Sequence, residues 1–112
     1  MSVKYIQTGD AVDYTPGANV AAGDVVVQGE LVGVAKLDIQ TGKLGALAVT
    51  GVFDFPKATG AGTAIAAGTR VYWDVAEQVA KADSEAGANK EIGKTVKAAA
   101  DADALVRVRL SQ

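Results

Sequence analysis

The residues best suited to chemistry in this chain are Gly93-Lys94-Thr95 and two pairs of nearby carboxylates, Asp10 with Asp13 and Asp101 with Asp103. Gly-Lys-Thr is the closing triplet of a phosphate-cradling loop, which also needs a glycine five positions earlier, a strand before it and a helix after it. That earlier position is Ala88, and Gly87 falls one residue early. Val96 continues a strand-like pattern, so the helix N-terminus that would receive phosphate is missing. The triplet therefore reads as a glycine bend with exposed Lys94 and Thr95. Paired acids can divide general acid and base work, and Asp101-Ala-Asp103 offers weak Ca²⁺ ligands. A calcium loop supplies many more oxygens at fixed spacing, however. Turn and solvent positions account for all four carboxylates.

The chain contains neither histidine nor cysteine. Imidazole bases, thiolate nucleophiles and the usual zinc ligand sets are thereby excluded. Ser2, Ser84 and Ser111 stand in no nucleophile-elbow motif and have no imidazole to activate them. No residue is assigned to catalysis, to a cofactor or to a metal, and the sequence points to binding by a non-enzyme.

Binding residues are sought first among the scarce aromatics, which make up 5% of the chain. Phe53 and Phe55 share one strand face, while the neighbours Tyr72 and Trp73 point to opposite faces. Each ring is either a core plug or an anchor on an intersubunit surface, where aromatics are enriched. Tyr5, Ile6 and Tyr14 could pin an N-terminal arm onto a partner; the other reading of that segment is an ordinary first strand.

The elements that must position these residues are short. At 112 residues the chain is one domain, divided here into an N-terminal strand or arm over 1–16 and a β domain over 17–112. Apolar residues make up 49%, mostly Ala and Val. A core of such small side chains leans on backbone pairing and contacts between copies. Val25-Val26-Val27 and Leu31 to Ala35 form a hairpin candidate around Gly29. Further strands are read at Leu44 to Thr50, Val52 to Phe55, Val71 to Trp73, Gln78 to Ala80, Glu91 to Val96 and Leu105 to Leu110. In the last, Val106, Val108 and Leu110 alternate with Arg107 and Arg109, the clearest two-residue period in the chain. Lys81 to Lys90 reads as a polar loop. Lys97 to Leu105 reads as a turn, with a short helix as its competitor because of its alanines.

Val20-Ala-Ala-Gly-Asp-Val-Val-Val27 and Ile65-Ala-Ala-Gly-Thr-Arg-Val-Tyr72 match at a spacing of 45 residues. The match runs without a gap to Val34-Ala35 and Val79-Ala80. It suggests a duplicated turn-and-strand unit inside an all-β fold, a small barrel or sandwich. Net charge is -2, which argues against wrapping nucleic acid. No long apolar run or secretory segment is evident, so neither a membrane partner nor export is expected.

Taken in order, several segments resemble one family. They are Gly9-Asp10 with Val12-Asp13-Tyr14, Val20 to Asp24, Leu31 to Ala35, Gly51-Val-Phe-Asp-Phe-Pro-Lys57, Ile65 to Asp74, Glu91-Ile-Gly93 and Val106 to Leu110. Together they resemble the phage capsid cement, or head decoration, proteins, a small all-β family whose members are often labelled recombinases of the RecA/RadA type. That label conflicts with the defective phosphate loop and the short chain. The resemblance implies a structural protein, a homotrimer on the outer capsid surface of the virion that clamps the major capsid protein and occupies the host cytoplasm before assembly. It adds Phe53, Pro56 and Lys57, and Tyr72 with Trp73, as interface candidates, and implies no cofactor. The rival from another class is a carbohydrate-binding β-barrel module, which requires exposed rings along one groove.

Overall fold

β-Branched runs broken by glycine turns dictate short strands, and the computed structural model, which describes residues 3–4 and 9–111, contains nine of them among those residues. An N-terminal sheet is built from β1 (Ala11–Tyr14), β2 (Val25–Gln28), β3 (Leu31–Ala35) and β4 (Gly45–Ala48) in the order β1-β4-β3-β2. A C-terminal sheet holds β5 (Gly51–Pro56), β6 (Arg70–Asp74), β7 (Val79–Lys81), β8 (Lys90–Thr95) and β9 (Leu105–Leu110) in the order β5-β9-β8-β6-β7. Both sheets are antiparallel. The all-β expectation holds, and neither sheet closes into a barrel among the described residues.

Two stretches gain detail. Lys81 to Lys90 is bounded by strand residues at both ends and contains a single 3-10 turn, Glu85–Gly87. Lys97 to Leu105 forms no helix: Ala99 bridges to Ile65, and the Asp103 N–H donates to Ala100 O at 3.0 Å. Its alanines favour a helix, but too few large apolar side chains are present to bury one face of it. Residues 11–14 form an ordinary strand of the N-terminal sheet. Tyr5 and Ile6 lie outside the described residues.

The repeat is real at its turn, and larger than the sequence match. Val20 and Ile39 exchange backbone hydrogen bonds at 2.8 Å, and Ile65 and Ala99 do the same at 2.9 and 2.8 Å. Gly23, at φ 92°, donates to Ala35 O, and Gly68, at φ 78°, donates to Thr95 O. Both glycines occupy the left-handed region that a side chain disfavours. The gapless extension to Val34-Ala35 and Val79-Ala80 needs correction, however. Val34 and Ala35 lie in β3, whose topological counterpart is β8, whereas Val79 and Ala80 lie in the edge strand β7. Strand for strand, β1, β4, β3 and β2 correspond to β5, β9, β8 and β6, and the excursion over 75–89 that carries β7 is an insertion in the second copy.

This duplication explains the packing. Val12, Tyr14, Val20, Val26, Ala35, Ile39 and Leu47 pack together on one face of the N-terminal sheet. The counterparts of six of them, Phe53, Phe55, Ile65, Val71, Ala99 and Val108, lie in the larger core of the C-terminal sheet, and Ala35 corresponds to Thr95. That core also takes in Val25, Val27 and Val34 from the other face of the N-terminal sheet. The two copies are thus stacked front to back. Pro56 is accommodated because β5 is an edge strand, where its missing N–H costs no ladder bond.

Candidate functional surfaces

Gly93-Lys94-Thr95 is built into the fold in a way the sequence did not reveal. Gly93 lies inside the internal strand β8, not at a bend, and Thr95 is buried, not exposed. A Cβ on Gly93 would stand 2.0 Å from Arg109 O on the adjacent strand. Glycine is therefore required by the close approach of β9, with no call on phosphate. The Thr95 hydroxyl donates to Ala66 O at 2.6 Å and accepts from the Thr69 N–H at 2.9 Å, clamping the second copy's Ala-Ala-Gly turn. Lys94 alone faces outward.

Three of the four paired carboxylates are likewise engaged in hydrogen bonds that hold the fold. Asp101 accepts from the Ala64 N–H at 2.8 Å, and Asp103 accepts from the Ala100 N–H at 2.8 Å. Asp10 accepts from the Thr50 hydroxyl at 3.2 Å. The Asp103 bond is a turn-fixing contact of the kind short acidic side chains make, while Asp101 and Asp10 tie together segments distant in the chain. A third acidic group, missed in the sequence because Glu85 comes from a different turn than the other two, gathers Asp74, Glu77 and Glu85. Its centre is filled by the Lys81 ammonium, which lies 3.0 Å from Asp74, 3.4 Å from Glu85 and in contact with Glu77. The Glu77 N–H, then Lys81, hold the Asp74 carboxyl well below the usual carboxylate range. Glu77, then Asp74, push the Lys81 ammonium upward. Asn89 donates to Asp83 O and to Glu85, tying the 3-10 turn into the same network.

The interface candidates separate by burial. Trp73 is 2% exposed and stacks obliquely on Phe55 at 6.0 Å, while Phe53 meets Phe55 edge-on at 6.3 Å. Lys57 is 5% exposed, and its ammonium donates to Ala58 O, Thr63 Oγ1 and Asp103 O, so it pins the 58–64 loop. Trp73 and Lys57 are interior groups with no side chain to offer a partner. Pro56 is exposed, and Tyr14, Phe53 and Tyr72 keep part of their surface.

An open groove of about 590 Å³ lies on the N-terminal sheet, with Ala11, Ala46 and Ala48 and the charged Asp10, Lys36, Asp38 and Lys43 in its lining. Leu37 and Leu44 flank it and are 78% and 71% exposed. No aromatic ring lines it, so the feature a carbohydrate module requires is missing there. The corresponding hollow of the C-terminal sheet is lined by Asp54 and Arg107, paired at 3.0 Å, and by Leu105. Charged side chains line both hollows, those just named in the first and Asp54, Lys97, Asp103 and Arg107 in the second.

A family model described as phage cement protein matches residues 6–110 of the 112-residue chain. The chain belongs to the phage cement protein family. No curated protein and no solved structure matches it. The role of this cement protein is structural, to stabilise the phage capsid, and its two-sheet body suits it: a cement protein needs rigid surfaces and no reaction centre. Nothing favours the carbohydrate-binding reading.

Proposed function

We propose that this cement protein is a non-enzymatic homotrimer on the outer surface of the phage head, where it bridges neighbouring copies of the major capsid protein and resists expansion of the shell. The observation that carries the reading is the family match over 6–110. The use of Thr95, Asp10, Asp101 and Asp103 to fasten turns and strands supports it. The number three and the outer location follow the resemblance of the sequence to head decoration proteins. Before assembly the protein would occupy the host cytoplasm.

Contact between copies is assigned to the groove beside Leu37 and Leu44. It continues the back face of the N-terminal sheet, because Val34, which packs into the core, pairs directly with Ala48, which lines the groove. The equivalent hollow in the second copy carries Arg107 where the groove has Ala46, so the fold itself does not demand an alanine there. Repeated contacts of modest strength suffice on a lattice, since each bound site raises the effective concentration at the next.

Two measurements test the reading. Undecorated heads sedimented with the protein should retain it, and retention should raise the temperature at which the heads break open. Light scattering should give the mass of a trimer, and Leu44→Asp should give a monomer with an unchanged circular dichroism spectrum. Failure to sediment with heads overturns the capsid role; a wild-type monomer at high concentration overturns the trimer.

A further inference from the structure

Strand register arranges an unusual row on the outer face of the C-terminal sheet. Arg70 pairs opposite Lys94, Lys94 opposite Arg109, and Arg109 opposite Val52. Three cations thus stand side by side across β6, β8 and β9, all exposed. Directly opposed residues have Cβ atoms about 4.5–5.5 Å apart, and like charges placed so are destabilising. Arg70 has Glu91 at 3.7 Å. Lys94 and Arg109 have no carboxylate within ion-pair distance among the described residues.

The neighbouring row shows that the sheet can neutralise itself. Arg107 pairs opposite Asp54 and bonds it at 3.0 and 3.3 Å. Each holds the other charged: Arg107 lowers the Asp54 carboxyl, and Asp54 raises the Arg107 guanidinium. The duplication supplies a second comparison. The row equivalent to Arg70, Lys94, Arg109 and Val52 is Val25, Val34, Ala48 and Ala11 in the N-terminal sheet. There it is apolar, and its Val25 and Val34 end is covered by the protein's own second sheet. The architecture therefore tolerates either chemistry in that row. Exposure alone explains polar side chains there, but not three of one sign in a chain of net charge -2.

Beside the cations, Val52 and Leu105 are 56% and 53% exposed on the same face. Arginine among apolar residues on a flat, rigid sheet is the composition of a protein-docking surface. The geometry points to this face as the one laid against the capsid, with Lys94 and Arg109, flanked by Arg70, meeting an acidic strip on the capsid protein. The inference rests on the capsid-binding reading above. A protein surface is favoured over nucleic acid because the row spans only about 10 Å at the spacing of neighbouring strands. So short a row neutralises few phosphates, while the rest of the chain is net acidic.

The test compares head binding by wild type, Lys94→Gln/Arg109→Gln and a control with the same change in net charge at exposed positions away from both the row and the groove, Gln28→Glu/Thr59→Glu. Removing the opposed cations should leave the thermal midpoint of the free protein unchanged or higher, since repulsion is relieved. The same double variant should sediment with undecorated heads at least 10-fold more weakly. Wild-type binding should fall between 50 and 300 mM salt (chosen to span about 14 to 6 Å of screening length) more steeply than that of the variant. The control should bind like wild type. Wild-type binding that is matched by Lys94→Gln/Arg109→Gln overturns this inference while the cement reading stands. Equal loss in the control reduces the effect to bulk charge and overturns the assignment of the face. A wild type that ignores heads removes the cement reading and this inference with it. Retention of duplex DNA by wild type, lost in the double variant, would transfer the face to nucleic acid and overturn the protein partner.

Discussion

Replacing Gly93 by alanine should destabilise the protein far more than an exposed lysine's neighbour in a phosphate-like triplet would suggest. The new Cβ would stand 2.0 Å from Arg109 O, 3.1 Å from Arg109 C and 3.0 Å from Ser111 N. Ordinary carbon–oxygen contacts between strands lie at about 3.3–3.6 Å, so β8 and β9 must part by more than an ångström. The obstructing atoms are backbone, and no side-chain rotation relieves them. Overpacking costs about 1–3 kcal/mol, and the upper end applies where nothing yields. Parting the strands also weakens the Ser111 N–H bond to Ile92 O, 2.9 Å long, for about 1 kcal/mol more. The sum, about 3–4 kcal/mol, corresponds to roughly 12–16 °C for a chain of this size. Thermal and urea unfolding followed by circular dichroism read it directly. Gly17→Ala is the control: nothing lies within 4 Å of its Cβ, and its effect should stay within about 0.5 kcal/mol. A Gly93→Ala midpoint within about 4 °C of wild type would refute the close-approach reasoning.

Three further outcomes follow from the same contacts. Thr95→Val keeps the side chain's shape but strands Ala66 O and the Thr69 N–H in a part-buried site, so urea unfolding should show a loss of about 1–3 kcal/mol; a neutral effect would remove the clamp. Trp73→Ala should cost about 3–5 kcal/mol, while Trp73→Phe should cost clearly less, because the buried indole Nε1 has no hydrogen-bond partner to lose. The Asp74 carboxyl is held below its ordinary value of 3.8 in the folded chain, so the stability it contributes is present above that value and is lost as pH falls below it. Asp74→Asn should accordingly flatten the acid limb of a stability-against-pH curve, and an unchanged slope would count against the network around Lys81.

Much was decided by local pattern. The alternation of Val106, Val108 and Leu110 with Arg107 and Arg109 requires a strand with one buried face, because successive side chains point oppositely whatever the partner. Gly23 and Gly68 announce a repeated turn for a similarly local reason, the left-handed backbone that each adopts. The absence of histidine and cysteine removes whole classes of chemistry before any fold is known. The ordered segments from Gly9 to Leu110 carry the family.

Pairing belongs to the tertiary structure. β1 pairs with β4 and β5 with β9 across long intervening stretches, and the two-residue period specifies which face is buried without naming the neighbour. That choice sets Gly93 against Arg109 O, turns Lys57 and Trp73 inward, and makes β8 rather than β7 the counterpart of β3. It also aligns Arg70, Lys94 and Arg109, which are distant in the chain and form a row only when three strands lie in this register. A period of two fixes the side a residue faces; only the summed burial and hydrogen bonding of the whole sheet fixes what stands beside it.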